Sequence, residues 1–214
     1  MKELEDLIRQ AILESAREYQ QDRRDSIHIT DLTTCLRRSY YTKKLGFPLN
    51  EKIAFWLLFG AVIHELLTPV IAKYLNGERE VQTTYKYQGI EIQATADVLA
   101  DDVVVELKTC NKLPYSPYKS HLEQINAYIH IFDVPKGLIV YISRTQLEVR
   151  IFDYYGDADL FYHTLEKAKI LKYALDKGVP PPCNIPITER KFYCKECPFK
   201  DICVNDSVLH LDKI

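Results

Sequence analysis

Two strand-forming runs meet at an acidic turn, and this hairpin constrains the fold of the chain more than any other segment. Residues 90–99 and 103–108 flank Asp101-Asp102. A turn centred there pairs residues whose numbers sum to 203, so Asp97 faces Glu106 across the ladder, with Cβ atoms about 4.5–5.5 Å apart. Strand side chains alternate, so Lys108 points to the same face as Glu106. Opposed carboxylates repel, and a hard divalent cation between them removes that cost; oxygen ligands of this kind suit Mg2+ or Mn2+. The valines at 103, 104 and 105 would hold the strand rigidly in the sheet. Taken alone, the hairpin fits a solvated face of paired acid and lysine equally well.

The flanking pattern predicts a mixed α/β domain. Apolar residues recur at helical spacing over 2–23, among them Leu4, Leu7, Ile8, Ala11, Ile12 and Tyr19. Thr30 and Asp31 read as N-caps of a second helix to about Lys43, which Gly46 and Pro48 stop. A third helix, 51–75, is apolar nearly all round and is therefore expected to be buried, with a kink at Pro69. Strands over 80–87 and 90–99 join at Gln88-Gly89. Ser116-Pro117 opens a helix to Phe132, and strands follow at 138–144 and 147–154. A last helix, 157–177, ends at Gly178. The order ααα-βββ-α-ββ-α describes one α/β domain with a loop-rich C-terminal segment.

Composition narrows the classes. The 214 residues are 47% hydrophobic and 27% charged, with a net charge of −2. Collagen-like, low-complexity and disordered chains are excluded, and a basic surface must be local. The longest apolar run, 53–63, is about seven residues short of the number needed to span a bilayer, so no membrane association is expected. The acidic start, Met1 to Asp6, is not a secretion signal. The expected compartment is the cytoplasm, where clustered cysteines point to metal or redox chemistry rather than disulfides.

Three of the six cysteines lie in Cys194-x2-Cys197-x5-Cys203. A tetrahedral sulfur site needs a fourth, and Cys35, Cys110 and Cys183 are the candidates. Cys110 reads better as a small core residue. The spacing suits structural zinc and an iron–sulfur cluster alike. Two basic, aromatic-interleaved segments flank these cysteines: 35–44, with Arg37, Arg38, Tyr40 and Tyr41, and 190–200, with Phe192, Tyr193 and Phe199. Positive charge tracks phosphates and aromatic faces stack unpaired bases.

Gly60-x3-His64, Asp97, Glu106-x-Lys108 and Gln124-x3-Tyr128 follow one another in the chain. In that order they resemble the RecB-type nucleases of the PD-(D/E)XK superfamily, whose restriction-endonuclease-like core is a mixed sheet flanked by helices. The resemblance implies that His64, Asp97, Glu106 and the Leu107 carbonyl ligate Mn2+ or Mg2+, that Lys108 is catalytic, and that Gln124 and Tyr128 position DNA. One early cysteine with three late ones is similar to the CRISPR-associated exonucleases, the fourth Cas family. That likeness selects Cys35, Cys194, Cys197 and Cys203 as cluster ligands and favours a [4Fe–4S] cluster, with [2Fe–2S] as the alternative. It implies a single nuclease domain over 1–214, with a core at 50–178 and a cluster module formed by 26–45 and 179–207. The implied activity is exonucleolytic cutting of single-stranded DNA, 5′→3′, in spacer acquisition beside the CRISPR integrase and other adaptation proteins, in a chain that could form a homo-oligomer. Competing readings are a RecB-like repair nuclease outside CRISPR, a DNA-end-binding scaffold with little cutting, and a redox-sensing regulator.

Overall fold

The computed structural model describes residues 2–21, 25–146, 148–195 and 197–203. Its sheet has six strands: β1 (Ile27–His28), β2 (Glu78–Tyr87), β3 (Ile90–Ala100), β4 (Val103–Cys110), β5 (Lys136–Ser143) and β6 (Val149–Tyr155). The strand order is β1-β3-β4-β5-β6, with β2 also paired to β3. β2–β3, β3–β4 and β5–β6 are antiparallel, while β4–β5 is parallel. A parallel pair needs a crossover, and α5 (Lys119–Phe132) supplies it. The sheet is thus mixed, as expected.

Helices cover both faces. On one, α4 (Glu51–Leu75) brings Ala72, Leu67 and Ile71 against Val98, Val103, Val105, Leu107 and Val140. On the other, α2 (Ile29–Leu32), α3 (Leu36–Leu45), α5 and α6 (Ala158–Lys177) pack with Ile92, Ala94, Val104 and Ile139. α1 (Lys2–Gln21) lies against α4. A short α7 (Ile187–Tyr193) completes the order. Asp157 caps α6 through its side chain to the Leu160 amide at 3.0 Å, and Gly178 ends it at φ 69°.

The structure departs from the sequence expectations in three places. The second helix is split, because Asn184 of the tail inserts at the break. Its Oδ1 accepts from the Leu36 amide at 2.9 Å and its Nδ2 donates to the Thr34 carbonyl at 3.3 Å. α5 starts at Lys119 rather than Pro117, since Tyr118 is extended and donates its amide to the Tyr141 hydroxyl at 3.1 Å. α4 is not buried. It has the length and apolarity to cross a membrane when counted with its few charges, yet it packs on β2, β3, β4 and α1. Its opposite side, Val62, Leu66, Val70 and Tyr74, is 56%, 63%, 64% and 86% exposed. Residues 22–23, Leu147 and 204–207 of the expected helix, strand and module lie outside the described residues.

Candidate active site

The β3–β4 turn sets the register Val98↔Val105, Leu99↔Val104 and Ala100↔Val103, each pair summing to 203. The backbone ladder stops before Asp97 and Glu106. There the Asp97 side chain replaces it: Oδ2 accepts from the Leu107 amide at 2.6 Å. Its other oxygen, Oδ1, lies 3.3 Å from His64 Nδ1 on α4. Asp97, Glu106 and His64 are therefore brought together.

Glu80 joins them, and the sequence reading did not include it. In the β2–β3 ladder Arg79 pairs Val98 and Val81 pairs Ala96, which sets Glu80 opposite Asp97. Glu80 takes a left-handed backbone, φ 51°, a conformation that costs a non-glycine residue about 1–2 kcal/mol. Ligating atoms of His64, Glu80 and Asp97 fall within 4.8 Å of one another. The signal was available: Gln88-Gly89 is the turn of this hairpin, and its pairs sum to 177.

Glu106 is buried (4% exposed). Its Oε1 accepts from Lys108 Nζ at 2.6 Å and from Gln124 Nε2 at 2.8 Å. Its Oε2 is buried and, among the described residues, no donor reaches it. A buried unsatisfied carboxylate oxygen is expensive, and a cation is the partner this one suits. The donor set of carboxylates and imidazole fits a divalent ion. Burial, then the Asp97 charge, raise the Glu106 pKa to about 7, against the pull of Lys108 and His64. For His64 burial acts downward, but the hydrogen bond and charge of Asp97, with Glu106, prevail and raise it.

Gln124 and Tyr128 sit on α5 beneath this pair and are buried. Gln124 Oε1 accepts from Lys108 at 3.0 Å and its Nε2 donates to the Tyr128 hydroxyl at 3.1 Å. The two thus hold the glutamate–lysine pair from inside. His121, one turn earlier, shares a 2.7 Å hydrogen bond with Tyr141. Burial and then Lys108 push its pKa down to about 3, so it stays neutral beside the lysine.

Away from this site the tail folds back on α3. Phe199 is buried against Tyr41 and Phe47, with ring centroids 5.6 and 6.2 Å apart. Cys35, Cys183, Cys194, Cys197 and Cys203 become electrostatic neighbours, and burial raises the thiol pKa of Cys35, Cys194 and Cys203. Five thiols in one neighbourhood suit a thiolate-ligated metal centre. Arg37, expected at the DNA surface, is instead buried, bonded to the Tyr41 hydroxyl at 3.4 Å and felt by Cys203. Arg38 is exposed and lies 5.2 Å from the Phe47 ring centroid. Cys110 stands apart at the end of β4. The Phe192 side chain is outside what the structure describes.

Comparison with known proteins agrees with the fold. Residues 60–151 match the PD-(D/E)XK nuclease superfamily. The chain is 28% identical over 192 residues to the CRISPR-associated exonuclease Cas4 of Saccharolobus solfataricus, covering 84% of this chain and 87% of that one. It superposes on the crystal structure of SSO0001 with a TM-score of 0.68 at 22% identity, covering 92% of this chain and 96% of the other. The alkaline exonuclease LHK-Exo of Laribacter hongkongensis gives 0.52 at 10% identity, over 76% and 93%. The matched segment contains His64, Glu80, Asp97, Glu106, Lys108, Gln124 and Tyr128, so the candidate site lies within the stretch that is similar to that superfamily, on a chain with the PD-(D/E)XK nuclease fold.

Proposed function

We propose that the protein is a divalent-metal-dependent DNA exonuclease of the Cas4 kind, acting on single-stranded ends. The observation that carries this is the buried Glu106 Oε2, without a hydrogen-bond partner among the described residues, beside Asp97 and His64, which themselves gather with Glu80, in a nuclease fold. His64, Glu80, Asp97, Glu106 and the Leu107 carbonyl would hold Mn2+ or Mg2+, which supplies Lewis-acid polarisation of the phosphate and a more acidic attacking water. Lys108 keeps its ammonium where charge develops on the phosphate, and Gln124 and Tyr128 fix its direction. Water adds in line to phosphorus, the P–O bond to the released nucleotide breaks, and the departing oxygen takes a proton.

In this reading Cys35, Cys194, Cys197 and Cys203 hold an iron–sulfur cluster, [4Fe–4S] before [2Fe–2S], that fastens 26–45 to 179–207 around the 50–178 core. Cys183 stands in the same neighbourhood. The likeness to Cas4 supports a cytoplasmic role in spacer acquisition with the CRISPR integrase, and the exposed α4 side supplies an apolar surface for that protein or a second copy. The 5′→3′ direction and the DNA contacts of Arg38 are part of the same proposal. The test is Mn2+-dependent digestion of linear single-stranded, circular single-stranded and duplex DNA. Loss of the linear strand alone, laddering from its 5′ end, is expected; cutting of circles contradicts exonuclease action.

A further inference from the structure

One side of the site carries a cation and an aromatic ring that the roles above leave unused. Trp56, Gly60 and His64 follow at i, i+4 spacing along α4, so Trp56 lies about 12 Å from His64 along the axis. The Arg144 guanidinium sits over the Trp56 ring, 4.3 Å from its centroid. Phe55 and Phe59 hold that ring edge-on at 5.1 and 6.0 Å. Arg144 is fixed by its backbone: its amide donates to the Cys110 carbonyl at 2.8 Å, and Thr145 Oγ1 donates to the Asn111 carbonyl at 3.0 Å. Its Nε is buried without a hydrogen-bond partner among the described residues. Between the ring and His64, Gly60 bears no side chain, and an added Cβ there would meet only Thr109 Oγ1, at 3.6 Å. Packing within the chain therefore does not require glycine, and its absence of a side chain leaves a track over the helix towards the carboxylates.

We propose that Trp56 and Arg144 form a stacking subsite for an unpaired nucleobase of the strand being cut, at the approach to the catalytic carboxylates. The proposal rests on the nuclease reading and names the part of the strand that the site grips. A guanidinium plane on an aromatic ring accepts a base on its free face, and its donors reach base edges or a neighbouring phosphate. At a stacked spacing of about 3.4 Å per nucleotide, that axial rise corresponds to about four nucleotides between the subsite and the scissile phosphate. Such a base must be unpaired, because a duplex hides its faces. The subsite thus selects single-stranded ends.

Trp56 is the single tryptophan of the chain, so fluorescence excited at the red edge, beyond the absorption of the 15 tyrosines, reports this ring alone. Short oligodeoxythymidylate is titrated into the intact protein without added Mn2+ or Mg2+, and anisotropy of a labelled oligonucleotide measures binding in parallel. The subsite predicts saturable quenching with the same midpoint as the anisotropy. It also predicts binding weakened about tenfold in Trp56→Ala and Arg144→Ala, partial retention in Arg144→Lys and near-full retention in Trp56→Phe. DNA bound with unchanged fluorescence, and with wild-type affinity in both alanine variants, overturns the subsite and leaves the nuclease reading intact. A wild type that neither binds nor degrades the strand overturns the nuclease reading and the subsite with it.

Discussion

Glu80 stands directly across the β2–β3 ladder from Asp97, in a left-handed backbone conformation. Asp97 in turn lies across the next hairpin from Glu106. Three carboxylates therefore cross three adjacent strands in a row, with His64 closing on Asp97 from α4. Lys108 and the Leu107 amide offset part of the repulsion within that row, and its oxygen and imidazole donors are of the kind that hold a divalent cation.

Removing Glu80 should separate function from stability. Glu80→Gln is expected to lower metal affinity or activity about 10- to 100-fold. Glu80→Gly removes the cost of the left-handed backbone, which offsets the side-chain interactions that are lost with it, so its metal-free melting temperature should stay close to that of the wild type while cleavage falls. Parallel thermal melts and digestion time courses measure both.

Glu106 makes metal-free stability and metal binding oppose each other with pH. Its folded pKa is raised to about 7 by burial and Asp97, so the folded state binds the proton more tightly than the unfolded chain. The stability tied to that proton is fully present below the unfolded value of 4.5 and is lost as pH rises through about 7. Glu106→Gln should flatten this fall in a series of metal-free melts from pH 4.5 to 8. Mn2+ requires the ionised carboxylate, so stabilisation by Mn2+ should grow over the same range.

Gln124 bridges Lys108, Glu106 and Tyr128. Gln124→Ala leaves a buried carboxylate and lysine with fewer partners, so it is expected to destabilise by about 1–3 kcal/mol and to lower the rate of cutting at saturating DNA. Tyr128→Phe removes the hydrogen bond from Gln124 while keeping the ring and should have a smaller effect. Denaturant melts and single-turnover cleavage distinguish the two.

Much of the site was legible because hairpin arithmetic is rigid: once Asp101-Asp102 is the turn, Asp97 and Glu106 follow. The same arithmetic from Gln88-Gly89 would have found Glu80, but a positive φ at a glutamate has no signature in the sequence. Arg37 shows another limit. A basic run reads as surface, and only the tail folding back over α3 buries one of its two arginines. The exposed side of α4 is a third case, because apolar periodicity reports a face that needs cover without saying whether the chain itself supplies it.

The cysteines follow the same logic of long-range contact. Asn184 joins the α3 N-terminus to the tail beside Cys183, which places Cys183 among the candidate ligands. With Cys35 as ligand, anaerobically purified Cys35→Ser should lose iron, colour and several degrees of melting temperature, whereas Cys183→Ser should keep its iron. Iron analysis and visible absorbance of both variants decide between them, and the reverse result assigns the cluster to Cys183.

The most direct measurement uses anaerobically purified protein, end-labelled linear single-stranded DNA and Mn2+, beside Glu106→Ala and an EDTA control. Degradation by the wild type with Mn2+, lost with EDTA and in Glu106→Ala, is the predicted result. A Glu106→Ala protein that cuts as fast as the wild type would contradict the assignment of this site.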